Sequence, residues 1–446
     1  MRITPRSLAR VAAGSVLPFA AVVLAIAAAG PTSPERVSIG DAGAVPDGGS
    51  YEGSVTGNGR FVAFYSSATN LLPAAGGSDQ QVFVRDRKLG TTSLVSADTG
   101  GGDGNGDSKY PCLSDNGRFV VFHSIASDLV VPDDEGSTWD VFLADRKTGA
   151  LTQLSADAGG SPGDGDSWLW GDSISKNGRW VVFYSDASNL VGAGEDENGL
   201  NDVFLHDRVK GTTTLVSQSK SGGSADGNSY SPSLSPNGRF VAFYSGATDL
   251  VGHDPNDNTQ DIFIYDTKKL TTTRLPLGPG NSGSDDYSYD PVISDNGRWV
   301  AFCSAADNLF DGQAASGVDQ VFLTDRKDGS TRMMSQKAGT PGNAEAYFPA
   351  MSASGKVIVF QSRASNLVDN DGNGATYDVF RFYPKDGSLR ILSLNAALEA
   401  GDGGSYLWGA ALSGNGKYLA FGSTATNFNS EGAVGNYDTF ILKLGK

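Results

Sequence analysis

Cysteine is nearly absent from this chain. Only Cys112 and Cys303 occur among 446 residues, too few for a disulfide framework, so the fold must rest on a packed core. Histidine is almost as scarce, with three residues, His123, His206 and His253. No serine nucleophile motif, HExxH pair or Cys/His cluster accompanies them, which removes the common signatures of zinc enzymes and hydrolases. Basic residues are also short, 34 Lys and Arg against 50 Asp and Glu, for a formal charge of −16. That balance disfavours nucleic acid and anionic lipid as partners. Beyond the N-terminus no apolar run is long enough to span a bilayer.

The first residues do contain such a run. Arg2, Arg6 and Arg10 precede an apolar stretch ending in Ala27-Ala28-Ala29, the pattern of a cleaved export signal. Residues 1–29 are read as the signal and 30–446 as the mature domain, secreted or periplasmic, without a membrane span. No cysteine stands beside the signal to carry a lipid anchor. Cleavage removes three arginines and no acids, lowering the formal charge from −16 to −19.

What the chain has in abundance is repetition. Ser229 to Leu275 reads as four short strands: 231–235, 239–245, 261–266 and 271–275. Pro236-Asn237-Gly238 joins the first two, with Asn and Gly suited to the positive φ of a tight hairpin. The second strand, Phe240-Val241-Ala242-Phe243, is apolar at successive positions, so both of its faces must be covered. The hairpin glycine recurs as Gly59, Gly117, Gly178, Gly238, Gly297, Gly355 and Gly416, at intervals of 58 to 61 residues. A fixed period of one four-stranded unit signals radial repetition, each sheet burying its faces against its neighbours.

PNGRFVAFYS followed by DIFIYD resembles the β-propeller repeat of TolB-like proteins, also called the PD40 or WD40-like repeat, over essentially the whole chain after the N-terminal segment. The resemblance implies a propeller and leaves function open, because this scaffold hosts many activities. TolB itself carries a further N-terminal domain and usually six blades, and this chain departs from it in both respects. The expected fold is all-β: a seven-bladed propeller of four-stranded antiparallel blades. The seventh unit stops after its third strand, while Arg36-Val37-Ser38-Ile39 matches a fourth-strand ending, so the N-terminal strand is expected to close the ring. Cys112 and Cys303 then fall in blades that are not neighbours, and Cys112 fills a slot held elsewhere by Ser54, Ser173, Ser233, Val292, Ala350 and Ala411. Both are expected to be buried thiols.

Strand order puts the short hairpins at the bottom of the ring and the long loops at the top, the face expected to carry function. Three features gather there. In five blades an Asp opens the third strand (Asp140, Asp202, Asp261, Asp378 and Asp438), with another acid seven residues earlier. Oxygen side chains at alternate positions around a Gly suit calcium. The candidate ligands are Asp369, Asp371, Asn373 and Asp378, then Asp254, Asn256 and Asp261, then Asp133 and Asp140, and Glu195 and Asp202. Turn formation alone is the alternative reading of the same residues. Gln81 and Gln320 replace the Asp in blades 1 and 5, the blades least suited to metal.

The second feature is a series placed seven residues before each hairpin Asn or its equivalent: Tyr51, Lys109, Trp170, Tyr230, Tyr289, Tyr347 and Trp408. It is expected at the channel mouth, either packing the rim or gripping a ligand. The third is Ala-[Ser/Thr/Asp]-[Asn/Asp]-[Leu/Phe] after every second strand, expected to shape the loop, with the Asn or Asp bonding nearby backbone. The functional expectation is a monomeric binding or scaffold protein that takes a protein or glycan on its acidic, aromatic-rimmed top face, with calcium as its one candidate cofactor. The alternative is an extracellular propeller enzyme, a polysaccharide lyase or hydrolase or a peptidase, recruiting His253, Lys109 or Arg363.

Overall fold

The computed structural model describes residues 33–445, apart from 41–42, 74–76, 78, 132–137, 253–258, 276, 279, 281, 310–316, 370, 410, 429–435 and the side chain of Glu52. The proposed signal segment lies outside the described residues. In the fourth repeat the strands are Ser229–Leu234, Phe240–Ser245, Asp261–Asp266 and Thr271–Arg274, paired in that order and antiparallel. Seven such four-stranded sheets form, so the chain is a seven-bladed β-propeller. The seventh is completed by Glu35–Arg36, which pairs with Asp438–Lys443, Glu35 opposite Ile441 and Arg36 opposite Phe440. Ring closure by the N-terminal strand is thus as the sequence led one to expect.

The continuous apolar second strand has the cause inferred for it. Val241 and Phe243 pack with Val182, Val203 and Leu205 of blade 3, whereas Phe240 and Ala242 pack with Ile293, Val300 and Phe302 of blade 5. Successive side chains of one strand therefore serve two different interfaces. Each hairpin glycine has a double duty. Gly238 has φ of 76°, and a Cβ there would lie 2.3 Å from Trp180 of the preceding blade.

Two sets of bonds latch the blades. At the bottom of blades 1 to 5, the arginine after the hairpin glycine reaches the Asp ending the third strand of its own blade, as in Arg239 to Asp266 at 2.9 Å and Arg179 to Asp207 at 2.6 Å. At the top, the N–H opening each first strand donates to the carbonyl just before the third strand of the preceding blade, at 2.6–2.9 Å. Ser229 to Asn201 is one case, and Ser50 to Tyr437 makes the same bond across the closure. The Asn of the loop motif reaches further than its own loop. Asn70, Asn189 and Asn366 donate to the carbonyls of Val45, Pro162 and Pro341, about 25 residues upstream, and so tie the incoming connection to the blade top.

Candidate functional site: the upper channel and its mouth

The first strands of all blades line the central channel, and they are bent. Tyr110, Ser231, Asp290 and Phe348 have φ of 54°, 46°, 49° and 53°, each directly before a proline, where the ladder with the second strand shifts register. Left-handed backbone at non-glycine residues is strained and persists only where surrounding structure holds it. Blades 3 and 7 solve the bend differently. Their first strands shorten to Ser167–Trp168 and Ser405–Tyr406, two extra residues follow, and glycine takes the positive φ, Gly171 at 58° and Gly409 at 61°.

This corrects the aromatic series. The residues in register with Tyr51, Lys109, Tyr230, Tyr289 and Tyr347 are Trp168 and Tyr406, not Trp170 and Trp408. Trp170 and Trp408 sit on the insertions, which meet across the axis: a Cβ on Gly409 would lie 3.6 Å from the Gly171 nitrogen. The Trp170 ring lies 5.7 Å from Tyr110 and 6.0 Å from Phe348, and Phe348 lies 5.0 Å from Trp408. Rings from blades 2, 3, 6 and 7 thus close the channel partway down.

The insertions also explain His123. Its Nδ1 accepts the Leu169 N–H at 3.1 Å, and Gln361 Oε1 accepts the Leu407 N–H at 2.6 Å from the equivalent place in blade 6. Each insertion is therefore preceded by a blade carrying a buried acceptor where Tyr65, Tyr184 and Tyr244 stand in other blades. Burial first, and Lys109 nearby, push the His123 pKa down to about 3, so the ring is neutral and accepts. His206 bonds Thr213, and His253 lies outside the described residues.

Above the plug the mouth is ringed by half-buried aromatics. One arc runs Trp168, Tyr184, Tyr230, Tyr244 and Tyr289, with ring centroids 5.3–6.4 Å apart. The other runs Tyr377, Tyr406, Tyr437 and Tyr51 at 5.2–5.4 Å. Carboxylates are set among them. Asp319 receives the Tyr347 hydroxyl at 3.1 Å and also that of Tyr289. Glu345 receives the Tyr377 hydroxyl at 3.1 Å and Arg363 at 2.8 Å. Lys109 pairs with Asp107 at 2.9 Å and lies over the Trp139 ring.

Two acids within the channel keep their protons unusually well. Asp290 sits in a small pocket with Trp170, Phe348 and Gly409. Burial pushes its pKa up to about 6, although the Ser231 hydroxyl and Trp170 indole favour the charged form. Asp172 lies below the plug, in a small cavity shared with Cys112, Asp115 and Lys176, and burial raises it to about 7. Both cysteines are free and buried. An acid whose pKa is raised on folding binds more protons in the folded state, so stability falls as pH rises from the unfolded value near 4 to the folded one. The Asp172 share of that loss is complete by about pH 8 and amounts to at most about 4 kcal/mol. Asp172→Asn is accordingly expected to raise the melting temperature at pH 8 by a few degrees and to leave it unchanged at pH 4. Thermal melts of both proteins across that range check this, and an equal gain at every pH would show that Asp172 does not titrate there.

The acidic positions separate into distinct groups. Asp140, Asp202, Asp261 and Asp378 are fully buried at the openings of third strands, as is nearly all of Asp438. Asp371 and Asn373 accompany Asp378, whereas Asp369 is exposed and pairs with Lys337 at 2.5 Å. Glu195 is exposed and its neighbour Asp196 is the one turned inward. Asp133, Asp254 and Asn256 lie outside the described residues. Among the described residues no three His, Cys, Asp or Glu side chains form a metal-binding group.

No protein-family model matches the chain, and comparison with curated protein sequences finds no match. Solved structures do match in fold. The β-propeller domain of the Trilobed protease from Pyrococcus furiosus aligns with a TM-score of 0.52 at 9% identity, covering 90% of this chain and 96% of that one. An oligogalacturonate lyase from Vibrio parahaemolyticus aligns at 0.51 and 10%, covering 89% and 91%. TolB from Acinetobacter baumannii aligns at 0.41 and 14%, covering 77% of this chain and 63% of that one, so this chain spans less than two thirds of that TolB's length. The first two likenesses place the chain among the β-propellers, as its seven four-stranded sheets do. At such identities they speak for the fold alone. Among the described residues, no helix is long and apolar enough to cross a membrane.

Proposed function

We propose that the protein is an exported, monomeric binding propeller whose upper bowl takes a glycan without net negative charge. The observation that carries this is the tyrosine and tryptophan belt around a mouth whose floor is closed by the Tyr110, Trp170, Phe348 and Trp408 rings. Flat half-buried rings stack on the apolar faces of sugars, and polar groups beside them orient hydroxyls. Asp319 and Glu345 supply such acceptors within the belt. The closed floor means that a ligand is held from one side rather than threaded through.

Glycan-array screening followed by calorimetry tests this. Tyr230→Ala and Tyr406→Ala are each expected to weaken binding by tenfold or more, with melting temperature little changed. Unchanged affinity in both variants, or no glycan retained, overturns the reading. One observation favours catalysis as a second reading: Asp290, whose pKa burial raises to about 6 in a pocket beside the plug, is placed to exchange a proton as a general acid or base. Turnover of a bound oligosaccharide in the same assay would replace binding by catalysis.

A further inference from the structure

The residue opening each third strand occupies one buried place repeated around the ring, and the chain balances it in different ways. The residues are Gln81, Asp140, Asp202, Asp261, Gln320, Asp378 and Asp438, all at most 2% exposed. One side-chain oxygen generally takes a serine hydroxyl from the fourth strand's end, at 2.6 Å from Ser96 to Gln81 and 2.5 Å from Ser393 to Asp378. What faces the other end of the group is the informative part.

In blade 1 that end is the Gln81 amide, which donates to the Gly104 carbonyl at 2.9 Å, and Gln320 does the same toward Gly342 in blade 5 at 3.4 Å. A carboxylate in this place turns a second oxygen toward the carbonyl and needs positive charge between them. Blades 4 and 7 supply it from arginine: Arg274 lies 3.1 Å from Asp261, and Arg36 lies 3.1 Å from Asp438. In blades 3 and 6 no Lys or Arg among the described residues pairs with Asp202 or Asp378. Instead a second acid stands close, Asp196 by Asp202 and Asp371 by Asp378.

We infer that blades 3 and 6 each hold a calcium ion in this place, performing the role that arginine performs in blades 4 and 7. In blade 6 the ligands are Asp371, Asn373, Asp378 and the Gly401 carbonyl. In blade 3 they are Asp196, Asn198, Asp202 and the Ala225 carbonyl.

The oxygens are waiting in the required form. Asp371 Oδ1, Asn373 Oδ1 and Asp378 Oδ2 are buried without hydrogen-bond partners, and so is Asp196 Oδ1 in blade 3. Asp378 is fully buried, and a carboxylate oxygen left so is costly unless a cation meets it. The Asn amide lies on the line between acid and carbonyl. Asn198 Nδ2 is 2.8 Å from both Asp202 and the Ala225 oxygen, and Asn373 Nδ2 is 2.8 Å from the Gly401 oxygen. Turning the Asn373 amide over puts its unpartnered oxygen in that place; in blade 3 the same turn takes the Asn198 oxygen away from the Leu200 N–H, which it accepts at 2.8 Å, and gives it to the ion. The glycine after each Asn, Gly199 and Gly374, has positive φ, 63° and 75°, which permits the sharp turn. Carboxylate, amide and carbonyl oxygens without His or Cys suit calcium rather than zinc.

The chain itself provides the variant that tests this. Asp378→Gln and Asp202→Gln convert blades 6 and 3 to the arrangement of blades 1 and 5, and so are expected to fold without metal. Calcium binding to the full mature chain is counted by equilibrium dialysis, with terbium luminescence as a second readout. Each single variant is expected to lose one bound calcium per chain and the double variant two, together with at least half of the calcium-dependent rise in melting temperature. Asp371→Asn, on a partly exposed loop residue, is expected to lower the blade 6 affinity at least tenfold. No calcium bound by the parent protein, or an undiminished count in the double variant, overturns the inference. Glycan binding measured in chelator is a separate readout, so the two proposals can fail independently.

Discussion

Asp438→Ala is expected to lower the unfolding free energy by about 3–5 kcal/mol, the cost of stranding a buried charge. Arg36 is 5% exposed and its ion pair with Asp438, at 3.1 Å, is the counter-charge for its guanidinium. The pair is not aligned as a hydrogen bond, and the Arg36 nitrogens have no hydrogen-bond partner, so the substitution leaves them nothing anionic. Asp438 also receives the Ser38 hydroxyl at 3.1 Å, and Ser38 in turn receives the Thr439 N–H at 3.0 Å. One carboxylate therefore anchors the strand that closes the ring. Urea denaturation measures the effect. A loss below about 1 kcal/mol, the range of a surface pair, would mean that the closing strand is not seated as described.

The second large effect belongs to the core. Phe243 and Phe263 are fully buried, with stacked rings 5.8 Å apart, against Val182, Val203 and Leu205 of blade 3. Phe243→Ala is expected to cost about 3–5 kcal/mol, because the transfer loss is joined by a cavity that two sheets cannot both relax to fill. Denaturant midpoints of the variant and parent give the number. The equivalent Phe64, Phe122, Phe183, Phe302 and Phe360 are also fully buried, so a similar cost is expected in those blades, while a cost under 1 kcal/mol in blade 4 would show a loosely packed interface there.

The repeat made most of the scaffold legible. Asn237-Gly238 marks the hairpin, the unbroken Phe240 to Phe243 run marks a strand covered on both faces, and the missing fourth strand of the last unit pointed to Arg36. Each of these is a local signal multiplied by seven. The channel plug was not legible for the opposite reason. Trp170 and Trp408 are 238 residues apart and approach only because the ring closes. Counting back from the hairpin also hid the two-residue insertion, whereas Ser167-Trp168-Leu169-Trp170-Gly171 beside Ser405-Tyr406-Leu407-Trp408-Gly409 would have exposed it. His123 and Gln361 carry no local signal of their role, because the groups they bond, the Leu169 and Leu407 amides, lie in the next blade. The acids at the third-strand openings were visible at once, but the arginines that balance two of them were not. Arg36 and Arg274 are ordinary strand residues until the sheet places them against Asp438 and Asp261.

The closing contact between Ser38 and Asp438 joins positions 400 residues apart, and this separation sets an order of events. Six blades can complete themselves as the chain is made, since each is a local meander. The seventh cannot, because its outermost strand belongs to the beginning of the chain and must stay unpaired until the last strand appears. Joining ends across such a span carries a loop-closure cost that only the finished ring offsets. Folding of this protein therefore ends at a seam, and the seam is the point from which the ring would first come apart.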